Sequence, residues 1–415
     1  MSPTPRRFLQ ASALLFAASN SAFFFQFLFK SLVVRQVPQG DFSVLDSLLG
    51  VSSLVSLPVV IFTTIWVRKF AELRARGELG LIRALVGKLN IVCLAYAAIV
   101  CAVTILQART LHQFLRFDND LAVWGCVASL FISLAFPMFA SLPQAMQGFG
   151  IIAAIAFFSP VCRLVFGWLM VRVFHMGVAG AVWASFFAAL CSLVLSLYFY
   201  LRQSWPAVEG AASWRRQLNW KDVLAPTLSI LVVSILMQTD LVAVRHFYAP
   251  ADSDRFAIAA QFGHAVFFFI TPVTLVLLPK VVDHFVGWEQ AESRLTRKAL
   301  GASLLLLAAM AIGGNLLAPL ALRLFTGAAE PSQVALTRWF LWAVIPTSLA
   351  YVGLQALVAR LQTRLLVLAL VGSLLLPGYV ALRHTALTDV LWAHFLSGTA
   401  LLAVIGAGNL RRLRA

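Results

Sequence analysis

The chain has 415 residues, of which 61% are apolar and only 12% charged, with a mean hydropathy of +0.89. A soluble domain is nearer half apolar and a quarter charged, so this composition excludes an ordinary water-soluble fold. The formal charge of +16 belongs to a protein whose apolar residues come as repeated runs of about 20, the length that spans the hydrocarbon core of a bilayer. The runs are continuous rather than alternating, which predicts helices and not a closed barrel.

In chain order, predicted spans cover 11–34, 43–67, 84–106, 122–143, 150–173 and 178–201. A second set covers 222–245, 256–281, 299–321, 336–358, 365–382 and 389–410. The first run follows Arg6 and Arg7 and continues through Phe29, too long for a cleaved signal, so it reads as a retained helix. The five cysteines form no CxxC pair and read as small buried hydrophobes. Between the sets, 202–221 carries Trp205, Trp214, Trp220 and four basic residues and reads as an interface-lying linker.

Basic residues collect on cytoplasmic loops. With the N-terminus inside, 21 of the 32 Lys and Arg fall on inner segments and 10 on outer ones. That bias predicts both ends inside, and accounts for most of the net charge through retention and anionic lipid rather than nucleic acid.

Four local matches recur at nearly one offset. Lys30-Ser-Leu-Val-Val-Arg35 resembles Asp240-Leu-Val-Ala-Val-Arg245, at offset 210. Phe42 and Pro58 match Phe256 and Pro272, at offset 214. Gln144-Ala145 matches Gln355-Ala356 at 211, and His175…Trp183-Ala184…Phe186 matches His384…Trp392-Ala393…Phe395 at 209. The expected fold is therefore all-α and polytopic, with two parallel-repeat six-helix bundles, 1–210 (including the linker) and 211–415. Such repeats place a substrate site between the halves and favour a transporter.

Gln238-Thr-Asp240-Leu-Val-Ala-Val, Phe256-Ala-Ile-Ala259 and Val276-Leu-Leu-Pro279-Lys280 follow one another in the second half. With Gln144-Ala-Met-Gln147-Gly148 and Met176-Gly-Val-Ala-Gly-Ala181, this order resembles the polysaccharide or O-antigen flippases of the multidrug/oligosaccharidyl-lipid/polysaccharide exporter superfamily. The resemblance implies a V-shaped twelve-helix bundle in the bacterial inner membrane. It also implies that a polyprenyl-diphosphate-linked oligosaccharide crosses from the inner to the outer leaflet. Membrane lipids, and other polysaccharide-assembly proteins, would be its partners.

Ionisable groups inside spans mark functional candidates. Arg163, three residues after Pro160, offers a bidentate fork to a lipid diphosphate or else bonds carbonyls loosened by the proline. Lys30 and Asp240 hold equivalent positions in the two repeats and are candidates for a gating ion pair; the alternative is snorkelling by Lys30 and pairing of Asp240 with Arg245. His264, three residues from Gln261, is a candidate for coupling to an ion, H+ or Na+, or a structural histidine. Gln26 and Gln238 could line a sugar path or serve as interhelical glue. Pro58 with Pro272, and Pro137 with Pro346, predict paired bends.

No nucleotide-binding loop, HExxH or GxSxG is present, so no cofactor and no enzymatic centre are expected. Two alternatives to a flippase remain: a cation or drug antiporter on the same fold, which wants acidic groups in its cavity, and a membrane polysaccharide polymerase or ligase, which wants a large outer loop.

Overall fold

The computed structural model describes the backbone of residues 5–206, 220–283 and 289–413, and side chains at 18, 21–206, 223–270, 300–358 and 360–407. Most of the predicted linker therefore lies outside the described residues. Every described element is helical. The chain divides into two compact units, Met1–Leu218 and Asn219–Ala415.

The first unit contains α1 (Pro5–Gln36), α2 (Phe42–Val55), α3 (Leu57–Ala75), α4 (Leu79–Leu106) and α5 (Ala108–Leu115). It continues with α6 (Asp120–Ala135), α7 (Pro137–Ala145), α8 (Phe149–Gly167) and α9 (Gly177–Arg202). The end of α8 widens into a single turn, Trp168–Val173, where the Phe174 N–H reaches back five residues to the Leu169 carbonyl at 3.0 Å. The second unit contains α10 (Trp220–Phe247), α11 (Pro250–Asp283), α12 (Glu289–Thr326) and α13 (Pro331–Ala343). It closes with α14 (Ile345–Ala359), α15 (Thr363–Ser373), α16 (Leu375–Leu382) and α17 (Leu387–Leu413).

Among the described residues, eight helices are long and apolar enough to cross a membrane, and up to ten if each of two bent pairs is one span. The predicted spans 11–34 and 256–281 fall on α1 and α11, whose side chains are described only in part. Apolar side chains stand outside as well as inside: Leu305 is 74% exposed, Leu316 73% and Leu382 90%. Such surfaces on helices that satisfy their own backbone are stable in hydrocarbon and not in water. This is a multi-pass membrane protein.

In the first unit α8 packs on α1 and α9, α6 on α4 and α9, and α3 on α7. The interior around Trp66, Phe70, Leu85, Leu89, Met138 and Leu142 joins α3, α4 and α7. In the second unit α11 packs on α13 and α14, and α17 on α14, α15 and α16.

Prolines mark three of the breaks. Pro58 follows the 53° bend between α2 and α3, Pro137 opens α7, and Pro346 lies in the first turn of α14. The repeat partner of Pro58 behaves differently: α11 runs unbroken through position 272. A proline removes one hydrogen bond, but the flanking turns can absorb the loss, so paired prolines do not oblige paired breaks.

Short turns between helices repeat one geometry. Gly77, Gln147 and Leu361 adopt left-handed φ of 79°, 55° and 52°. In each turn the next residue bonds back five positions: Glu78 N–H to Leu73 O at 3.0 Å, Gly148 to Pro143 at 2.7 Å, and Gln362 to Leu357 at 3.1 Å. This left-handed cap satisfies the last carbonyls of one helix and starts the next. Gln147 and Leu361 are 214 residues apart, an offset already present in the sequence matches.

Candidate functional sites

Each unit holds a buried polar cluster among its described residues. In the first, the Arg163 guanidinium on α8 donates from Nη1 to Gln26 Oε1 on α1 at 3.0 Å and from Nη2 to Ser185 Oγ on α9 at 2.8 Å. Its partners are thus side chains, not the carbonyls near Pro160. The Nε–H is buried with no partner, and the group lies 5.4 Å from the centre of the Phe29 ring. Phe29 is seated against Gly167, where an added Cβ would meet ring carbon Cε2 at 2.6 Å. Close helix approach at small residues is how membrane helices pack, and here it fixes the floor of the site.

Lys30 on α1, one turn beyond Gln26, pairs with Asp46 on α2 at 2.8 Å, with side-chain exposures of 13% and 1%. Asp46 also lies close enough to attract Arg163 electrostatically. Arg163, Lys30 and Asp46 thus belong to one buried cluster.

The second cluster centres on Asp240 of α10, which is fully buried. Its Oδ2 lies 3.0 Å from His264 Nε2 on α11 and 3.0 Å from His394 Nε2 on α17. Its Oδ1 accepts the Leu241 N–H at 2.8 Å. For both imidazoles to donate to one carboxylate oxygen, each must carry its proton on Nε2. Phe340 on α13 lies edge-on to both rings, 5.6 Å from His264 and 5.2 Å from His394. It occupies the space that a side chain at Gly263 would need. The Nδ1 of His394 is buried without a partner. The two Nε2 atoms and the carboxylate lie within 4.8 Å of one another, so a cation would have to replace the Nε2 protons to be held by all three residues.

Two pairs of residues from these clusters stand at the offsets of the sequence matches. Lys30 and Asp240 are 210 residues apart, and Ser185 and His394 are 209 apart. Both offsets fall within the range of the sequence matches. One unit therefore presents a basic side chain where the other presents an acidic one.

Of the predicted residues, the structure brings Arg163 and Gln26 into direct contact, with Lys30 in the same cluster, and brings Asp240 together with His264. Lys30 and Asp240 were candidates for a gating pair, against snorkelling by Lys30; among the described contacts Lys30 meets Asp46, and Asp240 meets the two histidines. Gln261 donates to the Ala257 carbonyl of its own helix at 3.3 Å, and Gln238 joins neither cluster among the described contacts. Three participants were missed. Asp46 and Ser185 carried no pattern that singled them out. His394 lies inside the Trp392-Ala393…Phe395 match, opposite Ser185; comparing the unmatched position of that pair would have found it.

The fold is shared with solved multi-pass membrane proteins. No family model matches the sequence, and no curated protein matches it. Solved structures do. An inward-facing multidrug resistance MATE family transporter superposes with a TM-score of 0.72 at 14% identity, covering 94% of each chain. The lipid II flippase MurJ, in an inward closed conformation, gives 0.71 at 13% identity over 97% of this chain and 87% of that one. A MOP superfamily transporter from Pyrococcus furiosus, whose reversed binding-pocket polarity suggests a different function, gives 0.64 at 14% over 97% and 95%.

Proposed function

We propose that this protein is an alternating-access flippase of the bacterial inner membrane. It moves a polyprenyl-diphosphate-linked oligosaccharide, the repeat unit of an O-antigen, capsule or exopolysaccharide, to the outer leaflet. The observation that carries this reading is Arg163: a buried guanidinium held by Gln26 and Ser185, with its Nε–H unpartnered. A charge inside a span costs about 2.5–3.5 kcal/mol on insertion scales and is retained for use. A diphosphate supplies the acceptor that Nε lacks and a charge opposite to that of the guanidinium. The Asp240 cluster is the candidate site for a coupling cation.

The test is genetic and chemical together. Deletion should remove surface glycan and leave its lipid-linked precursor on the cytoplasmic side. Arg163→Ala should reproduce that accumulation, and Arg163→Lys should restore it only in part, since an ammonium keeps the charge but not the fork. Normal glycan export in both variants would overturn the assignment.

A second reading rests on Asp240: a buried acid flanked by two imidazoles could bind a cationic substrate, as expected of a drug or cation antiporter on this fold. Under that reading deletion sensitises cells to cationic compounds and leaves surface glycan intact.

A further inference from the structure

We propose that Asp240, His264 and His394 form a binding site for a divalent transition-metal ion of the zinc type, which ties α10, α11 and α17 together. The proposal concerns the cluster named above for a coupling cation. It rests on ligand chemistry and holds whatever cargo the protein moves.

The donor set selects the ion. Mg2+ and Ca2+ want roughly six or more oxygen ligands. Here two of the three donor residues are histidines, whose imidazole nitrogens suit zinc, copper and nickel. A tetrahedral zinc site has bonds of about 2.0–2.2 Å to nitrogen and carboxylate oxygen, which sets its ligand atoms about 3.3–3.4 Å apart. Asp240 Oδ2 already stands 3.0 Å from each Nε2. All three donor atoms lie within 4.8 Å of one another. The two oxygen–nitrogen edges therefore need to open by only about 0.3 Å.

The fold holds the three ligands in place from three helices. Asp240 Oδ1 is tied to the Leu241 N–H at 2.8 Å, which leaves Oδ2 facing the imidazoles. Beside His264, Phe340 fills the space at Gly263. One turn after His394, a Cβ added at Gly398 would meet the Thr347 backbone nitrogen at 2.5 Å, so α17 lies directly on α14. Thr347 Oγ1 also donates to the His394 carbonyl at 3.4 Å. Ligands fixed in this way favour binding because little order remains to be imposed.

To bind the ion, each neutral ring must carry its proton on Nδ1 rather than Nε2. The two Nε2–H bonds to Asp240 are then exchanged for metal–nitrogen bonds. At His394 the shift breaks no bond at Nδ1, since that atom has no partner. Three protein ligands leave the fourth tetrahedral position to water. His264, with 11% of its side chain exposed against 0% for Asp240 and His394, is the ligand an arriving ion meets first.

The experiment uses the full chain, purified in detergent, freed of metal by a chelator, and titrated calorimetrically with Zn2+, Mg2+ or Na+. Wild type should bind one Zn2+ per chain and melt at a higher temperature with it, and should do neither with Mg2+ or Na+. Asp240→Asn and His264→Gln should each weaken Zn2+ binding by about tenfold or more. His264→Cys, which exchanges one zinc ligand for another, should keep it. His175→Gln, which alters an exposed histidine of the first unit, should leave it unchanged. If a variant does not fold, Co2+ bound to wild type decides. Four-coordinate visible bands without a thiolate charge-transfer band support the site, and a thiolate band would place the ion on the cysteines and overturn it. No saturable Zn2+ binding, equal binding of Mg2+, or binding that survives both Asp240→Asn and His264→Gln also overturns the proposal. Each of these failures leaves the flippase reading in place, since that reading rests on Arg163.

Discussion

Arg163 and Asp240 illustrate two ways of keeping a charge among apolar helices. Arg163 keeps one N–H without a partner, whereas both oxygens of the Asp240 carboxylate are engaged. Truncating the centre of the second network should therefore be costly. Asp240→Ala strands two buried imidazoles and should destabilise the protein by about 3–5 kcal/mol. His394→Ala, which removes a ring with one nitrogen already unpartnered, should cost less, about 1–3 kcal/mol. Asp240→Asn keeps the shape, so it should fold normally while removing the negative charge and any dependence of transport on a coupling cation. Thermal unfolding in detergent, paired with ion-dependent flux into vesicles, separates these outcomes. A flux that keeps its ion dependence in the Asn variant would rule out Asp240 as the cation site. At this scale the sequence was informative about intramembrane charges, because each is expensive and few. It was uninformative about who pairs with whom, since Asp46 and Ser185 become partners only through the packing of α2 and α9.

Turns and breaks belong to the next scale. Leu361 takes a left-handed conformation in the same turn that Gly77 makes without a Cβ. A left-handed L-residue costs roughly 1–2 kcal/mol, and glycine returns part of that through chain entropy. Leu361→Gly should therefore stabilise the second unit by about 0.5–1 kcal/mol, because Leu361 is half exposed and loses little packing. A fall in melting temperature would mean that its side chain matters more than its backbone. Span existence was legible from run length, and 84–106, 150–173 and 178–201 agree with α4, the α8 span and α9 to within several residues. What hydropathy could not register is interruption. The break at Phe136 and the 112° bend between α5 and α6 fall inside or beside apolar stretches, and a hydropathy average passes over them.

For the whole molecule the loop charges predict that Glu78 faces the cytoplasm and Thr110 the other side. Both are exposed at the ends of apolar helices, and three of the five native cysteines are buried. In intact cells a membrane-impermeant maleimide should label Thr110→Cys and leave Glu78→Cys unlabelled until the membrane is broken. The reverse pattern would invert the orientation and put the basic excess outside. The repeat was visible at this scale through four weak matches, and the turns at Gln147 and Leu361 echo one of its offsets. Substrate was not visible, because solved structures of this one fold carry the names of different cargoes.

Phe29 on Gly167 and Phe340 on Gly263 give each half an aromatic floor pressed against a helix without a side chain. The two seats are not copies of one another, since Phe29 and Phe340 are 311 residues apart and Gly167 and Gly263 only 96. Each half has reached the same kind of close seating by its own route, and the groups above it differ, arginine and lysine in one and aspartate and histidine in the other.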